Sequence, residues 1–251
     1  IGTWGMQCIG MFRSFQDIEE YFDKNGITSY MGLAKDKVRP GMLIYKDVRG
    51  AYDAATGKYA GPDGIVDADN DQVRLSNRNN IYGFTMNNGC SWKALSLSFQ
   101  LSADWGGYTT IPSAALKPTG SIEYCNMPSF WNVDNMYSYQ NVYDAAGNIV
   151  VNENHNARYP NLAYSSVNSV ASSFWRVSSA TVYLRRITLA YSLPSEFVKK
   201  CGLQNARVNI TGINLIDFYN PYPDNFTSSM AGSYGSYPNL RKWTIGVNLT
   251  F

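Results

Sequence analysis

Apolar and polar side chains alternate with a period of two in several stretches of this chain, and that period is the mark of a β-strand with two different faces. Leu95, Leu97, Phe99 and Leu101 alternate with Ser96, Ser98, Gln100 and Ser102. Ile187, Leu189, Tyr191 and Leu193 alternate with Thr188, Ala190 and Ser192. Val208 and Ile210 oppose Arg207, Asn209 and Thr211, and Trp243, Ile245, Val247, Leu249 and Phe251 oppose Thr244, Gly246, Asn248 and Thr250. The pattern predicts strands over 81–90, 92–103, 181–193, 206–216 and 243–251, with a weaker one over 4–12.

These strands run to about 9–13 residues, longer than the usual five or six of soluble sheets and suited to a tilted crossing of a bilayer. The links between them alternate in length. Asn88-Gly89 predicts a tight turn, and Pro194 to Asn205 a moderate link with a helical turn at SEFVKKCG. Residues 13–80, 104–180 and 217–242 are long connections. Long outer loops and short periplasmic turns alternate in this way in outer-membrane barrels, which places the end of the last strand at the periplasmic rim. The expectation is therefore an all-β chain, an antiparallel transmembrane β-barrel with long extracellular loops. Six strands fall short of the roughly eight that close the smallest membrane barrel, and an open edge in lipid leaves backbone groups unpaired. The chain is thus expected to hold the C-terminal strands of a larger barrel, its N-terminal portion lying elsewhere. IGTWGMQCIGMF lacks the basic start and cleavage pattern of a signal peptide, and no apolar run reaches the length of a membrane helix.

Composition sharpens this picture. Charged residues make up 16% and aromatic residues 14%, with 19 Tyr. Low charge with abundant Tyr suits strands that show one face to lipid and one to water; it also suits a soluble β-sandwich or a glycan-binding surface. A net charge of +2 makes no case for nucleic acid.

Candidate chemistry is sparse. The cysteines, Cys8, Cys90, Cys125 and Cys201, are widely spaced without a CxxC, so four isolated thiols are expected. His155, the single histidine, sits in the polar stretch ENHNARYP with no nucleophile motif beside it. Glu19-Glu20 lie in FQDIEEYFDKNG, a predicted helix ending at Asn25-Gly26, where adjacent side chains do not face one another. No catalytic group emerges. Asp47, Asp63, Asp67, Asp69 and Asp71 crowd one loop, and Asp63, Asp67 and Asp71 are its candidate ligands for calcium, an ion that takes clustered oxygen donors. The simpler reading is a solvated turn in which Asp and Gly satisfy the backbone. Tyr108, Tyr124, Phe130, Trp131, Tyr137, Tyr139, Tyr143, Tyr219, Tyr222, Tyr234 and Tyr237 populate the long connections, either as stacking surfaces for sugars or peptides or as girdle and packing residues. The sequons at Asn209, Asn225 and Asn248 are by-products of polar alternation.

SSFWRVSSATVYLRRITLAYSLP (Ser172–Pro194), ARVNITGINLIDF (Ala206–Phe218) and YPNLRKWTIGVNLTF (Tyr237–Phe251) resemble the closing strands of SusC/RagA-type TonB-dependent outer-membrane transporters. PGMLIYKDVRG followed by DGIVDADND, and then IYGFTMNNGCSWKALSLSFQLSADWGG, resemble the segments that precede them in that family. The chain departs from the pattern by the insertion AYDAATGKYAGP inside the Asp-rich segment and by the extra Ala68, both of which bear on a metal site there. The resemblance implies part of a barrel of about 22 strands, with the remainder of that barrel and a TonB-contacting plug domain upstream. It implies import of oligosaccharides or peptides, a SusD-like lipoprotein lid, no cofactor and no enzymatic activity. It also implies that the strand ending at Phe251 carries the signal read by outer-membrane assembly machinery. Two alternatives stay open: a soluble carbohydrate-binding β-sandwich, with Leu95, Leu97, Phe99 and Leu101 packed on a second sheet, or a self-contained small outer-membrane barrel, its extra strands drawn from Ser121–Tyr124 or Ile149–Asn152.

Overall fold

A computed structural model describes residues 2–76, 82–117, 127–223, 226 and 240–251. The chain divides into two compact units, one drawn from Ile1–Arg78, Tyr108–Val177 and Tyr222–Tyr234, the other from Asn79–Gly107, Ser178–Pro221 and Gly235–Phe251. The structure is rich in antiparallel strands and poor in helix. Among the described residues no helix is long and apolar enough to cross a membrane.

The second unit is a single sheet of five long strands: β1 (Tyr82–Trp92), β2 (Leu95–Trp105), β3 (Thr181–Ser192), β4 (Asn205–Tyr219) and β5 (Lys242–Thr250). Each pairs antiparallel with the next in chain order, so the sheet is a meander and is open at β1 and β5. The alternating segments fall within these strands, except Leu193 and Phe251, each one residue past a strand end, and Ile81, which lies outside the described residues. The turn between β1 and β2 differs from the expectation. Trp92 pairs with Leu95, so the two-residue turn is Lys93-Ala94, with Lys93 at φ 53°, and Asn88-Gly89 lies inside β1. Full pairing of Asn88 with Phe99 and of Gly89 with Ser98 uses the backbone that a turn there would have left free. The link from β3 to β4 carries the expected short helix, Ser195–Lys200.

The first unit gathers segments that read as loops into a structure with its own core. Here the weak strand expectation over 4–12 is corrected. Thr3–Met6 pairs with Gln72–Ser76 and Cys8–Met11 with Leu43–Tyr45, and neither joins the five-stranded sheet. The physical reason is burial: Met6, Met11 and Phe12 all enter this unit's core, so the segment breaks at Gln7 instead of running as one two-faced strand. Ile149–Val151 likewise pairs with Val142–Tyr143 in a small hairpin, which removes it as a further strand of the main sheet. Ser121–Tyr124 lies outside the described residues.

Helix α1 (Phe15–Asn25) begins at a capping box: Ser14 Oγ accepts from Asp17 N at 3.1 Å, and Asp17 Oδ2 accepts from Ser14 N at 3.1 Å. It ends at Gly26 in the left-handed region, φ 64°, and buries Ile18 and Phe22. Buried tyrosines brace the core through their hydroxyls. Tyr30 accepts from Tyr45 N at 2.9 Å and donates to Leu43 O, and Tyr45 donates to Val167 O at 3.0 Å. Asn168, itself buried, ties three segments together. Its Oδ1 accepts from Leu43 N at 2.8 Å, and its Nδ2 donates to Gly41 O at 3.0 Å and Asn161 O at 2.8 Å. A buried amide with its donors and acceptor occupied fixes segments that apolar contact alone would leave free to slide.

Candidate functional site

The five-stranded sheet has two chemically opposite faces, because facing residues in an antiparallel pair project to the same side. One row runs Leu97, Leu189, Ile210, Ile245, and the next runs Leu95, Tyr191, Val208, Val247. Much of this apolar face is exposed: Leu189, Ile210, Ile245 and Val247 all lie open, and Trp243 is 68% exposed. A soluble sandwich would cover such a face with a second sheet, whereas bare apolar rows of this extent call for an apolar environment.

The opposite face is a hydroxyl and amide wall. Ser98, Thr188, Thr211 and Thr244 make one row, and Ser96, Ala190, Asn209 and Gly246 the next. Thr188 Oγ1 and Thr211 Oγ1 are hydrogen-bonded at 3.0 Å, as are Thr85 Oγ1 and Ser102 Oγ, and Arg207 donates to Ser96 Oγ. These groups need water or a polar ligand around them, which apolar rows do not.

The Asp-rich segment forms a turn that its own carboxylates organise. Asp71, with no exposed surface, accepts through Oδ1 from Val48 N at 2.6 Å and Arg49 N at 3.0 Å, and through Oδ2 from Asp67 N at 3.0 Å. Asp67 Oδ1 accepts from Asp69 N at 2.8 Å and Asn70 N at 2.7 Å; Asp63 Oδ1 accepts from Ile65 N at 3.0 Å. Asp47 Oδ2 accepts from Gly64 N at 2.8 Å. Gly64 cannot be replaced freely: at φ 79° it sits so near the Gly26 carbonyl that a Cβ would lie 2.5 Å from its oxygen. Burial, with the nearby Asp71 and Asp63 charges, raises the pKa of Asp47 above its ordinary value.

The expected calcium ligands Asp63, Asp67 and Asp71 are thus in one loop but engaged with backbone N–H groups. Among the described residues no three His, Cys, Asp or Glu side chains gather to hold a metal ion. Spacing brought the three together; it could not show that Asp71 points inward as a strut.

His155 stacks between Tyr137 and Tyr139, at ring separations of 5.8 and 5.5 Å, with Nε2 2.8 Å from Tyr139 O. Glu19 and Glu20 take different partners, Lys35 and Gln16. Cys8, Cys90 and Cys201 are free thiols; Cys125 lies outside the described residues. The aromatic residues divide. Phe130, Tyr137 and Tyr222 are buried, whereas Tyr108, Tyr139, Tyr143 and Tyr219 are exposed; Tyr124, Tyr234 and Tyr237 lie outside the described residues. Sequence reading missed the centre of the cluster, Trp175. It is 2% exposed, stacks on Tyr159 at 6.0 Å and 3°, and donates from Nε1 to Asn168 O at 2.7 Å. Its signal was position alone: an aromatic pair, Phe174-Trp175, just ahead of a long alternating strand.

No family model matches the chain. It is 36% identical over 95 residues to TonB-dependent receptor P3 of Formosa agariphila, covering 30% of this chain and 9% of the relative. It is 37% identical over 81 residues to TonB-dependent receptor P26 of the same organism, covering 28% of this chain and 8% of the relative. The chain therefore spans less than a tenth of the length of the curated relatives it matches. In fold it is similar over its whole length to the RagAB peptide importer. The TM-score is 0.52 with 16% identity to the open-open state, and 0.54 with 19% identity to the closed-closed state, covering 22% and 23% of those chains. The resemblance to SusC/RagA-type TonB-dependent transporters is thus borne out, in sequence by the two receptors and in fold by the peptide importer.

Proposed function

We propose that this chain is a wall segment of an outer-membrane, TonB-dependent nutrient importer, working within a closed barrel of about 22 strands whose other strands and plug domain lie elsewhere in the protein. The observation that carries this reading is the two-faced meander, with exposed apolar rows on one side and a hydroxyl wall on the other. An 11-residue strand such as β2 spans about 34 Å, or about 26 Å when tilted by roughly 40°, close to the height of a barrel's lipid-facing band. On this reading the apolar rows meet lipid, the hydroxyl wall lines the transport path, and β5 pairs with a strand from another part of the chain. Residues 13–80, 104–180 and 217–242 are outer segments.

Cargo would be an oligosaccharide or a peptide, released inward by TonB acting on the plug, beneath a SusD-like lipoprotein lid. The named chemistry of the RagAB relatives supports the peptide option. The hydroxyl and amide wall suits either cargo, and binding and gating would replace catalysis.

The test is to extract the native protein in detergent and measure the masses of the intact particle and of each chain. A large particle in which this sequence belongs to a much longer chain, with a lipoprotein partner, is the expected result. A lone, stable 28.0 kDa species would overturn the reading in favour of a self-contained β-domain.

A further inference from the structure

On the polar face of the sheet, Asn87 pairs with Gln100 and Gln100 with Arg186, so the three side chains form one cross-strand row. They line a cleft of about 140 Å³ together with Asn88, Ser98 and Phe99. None of the three side chains makes a hydrogen bond or ion pair to another described residue, although hydroxyl neighbours on the same face pair with one another. Other cations on this face are Arg207, held by Ser96, and Lys242. Among the described residues its carboxylates are Asp104, four residues along β2 from the level of Arg186 and about 13 Å away by strand rise, and Asp217, which faces Tyr183 at the level of Ser102, two residues along β2 and about 7 Å away; neither is ion-paired with Arg186.

A lone guanidinium on a wet wall is merely solvated. Here a guanidinium and two carboxamides line one cleft with donors to spare and, among the described residues, no ion pair to a carboxylate. Arginine's planar fork grips a carboxylate or sulfate through two parallel N–H bonds, and amide NH₂ groups complete the shell. The cleft has room for only about four or five waters, so it fits one oxyanion group and not a whole oligomer.

We propose that Arg186, Asn87 and Gln100 form an oxyanion subsite on the polar wall, which takes a carboxylate or sulfate group. This rests on the reading that the polar face lines the transport path. The oxyanion has two possible sources: a group carried by the cargo, or an acidic side chain from the rest of the protein that rests there between transport cycles. The subsite would favour anionic cargo in the first case and latch the resting state in the second.

The test uses the full-length protein, folded in detergent and carrying Arg186→Lys. A water-soluble carbodiimide joins an amine to a carboxylate when the two touch, and peptide mapping identifies the partner. Preferential coupling of the new amine to an Asp or Glu of the same protein, over coupling at Lys242, assigns the internal source. Preferential coupling to added short polyglutamate, abolished when polyglutamine is used instead, assigns the cargo source. Reactivity no greater than that of Lys242 in both arms overturns the subsite. Labelling of Thr244→Cys by a charged, impermeant maleimide checks the underlying reading separately. If that cysteine reacts only after unfolding, the polar face does not line a wet path and both ideas fall. If it reacts in the folded protein while the lysine stays inert, only the subsite falls.

Discussion

Trp175 and Trp243 are the same residue handled in opposite ways. Trp175 is 2% exposed, stacked on Tyr159 and bonded through Nε1; Trp243 is 68% exposed on an open face. The contrast runs through both units. In the loop-derived unit, aromatic side chains from distant segments collect without sequence periodicity, and their polar tips find partners. In the sheet, apolar residues recur with period two and stay uncovered, while hydroxyls on the other side bond to each other. Apolar content alone therefore says little about a core. Its periodicity, and whether any protein covers it, decide whether a residue is packed against its own chain or presented to a different solvent.

The sharpest way to break this comparison is Trp175→Ala. Removing a buried aromatic from a packed cluster costs about 3–5 kcal/mol. Hydrogen exchange on the full-length protein should show amides around Trp175, Asn168 and Leu43 losing protection while β2 to β4 keep theirs. Equal loss in the sheet would show that the two units do not stand independently.

The sheet was legible because its signal is local. Leu95 to Leu101 and Ile187 to Leu193 announce their faces by alternation alone, and the bounds of β3 and β5 lie within a residue of those expected. The turn was misplaced because Asn-Gly is the favoured hairpin pair, whereas Lys93-Ala94 carries no such mark and imposes φ 53° on a lysine. The loop-derived unit was illegible because its contacts are remote: Asn168 meets Leu43 across 125 residues. No window of sequence shows that pairing. The acidic loop was half legible. Its Asp and Gly residues mark a turn, but the inward rotation of Asp71 follows from where Val48 and Arg49 come to lie.

A second pair of variants sharpens the contrast within the sheet. Ile245→Arg puts a charge on the apolar face and Thr244→Arg puts one on the polar face. If lipid covers the apolar rows, Ile245→Arg should cost about 2–4 kcal/mol near mid-bilayer, and Thr244→Arg should change stability by about 0.5 kcal/mol or less. Denaturant unfolding in lipid bilayers measures both. Indifference to Ile245→Arg would mean that water reaches that face.

Smaller effects belong to the loop-derived unit. Ser14→Ala removes the acceptor for Asp17 N and should weaken α1 by about 1 kcal/mol. Ser14→Asp should restore most of it, since Asp is an equally good cap. Protection of the first turn of α1 reads both outcomes.

The smallest effect and the clearest sign come from Asp47. Burial, then the charges of Asp71 and Asp63, raise its pKa, so the folded loop binds a proton more tightly than the unfolded chain does. At neutral pH the ionised group is therefore a cost to the fold. That cost is relieved as pH falls through the raised value, and the relief is complete below the ordinary value of 3.8. Asp47→Asn removes the charge and keeps an amide oxygen to accept from Gly64 N. It should slow local opening around Gly64 at neutral pH, and its advantage over the unaltered protein should shrink as the pH is lowered through that window. Taking the difference between the two proteins cancels the titration of other carboxylates to first order. An advantage that grew toward low pH would mean that the folded loop favours the ionised carboxylate, held by Gly64 N more strongly than burial and its acidic neighbours oppose it.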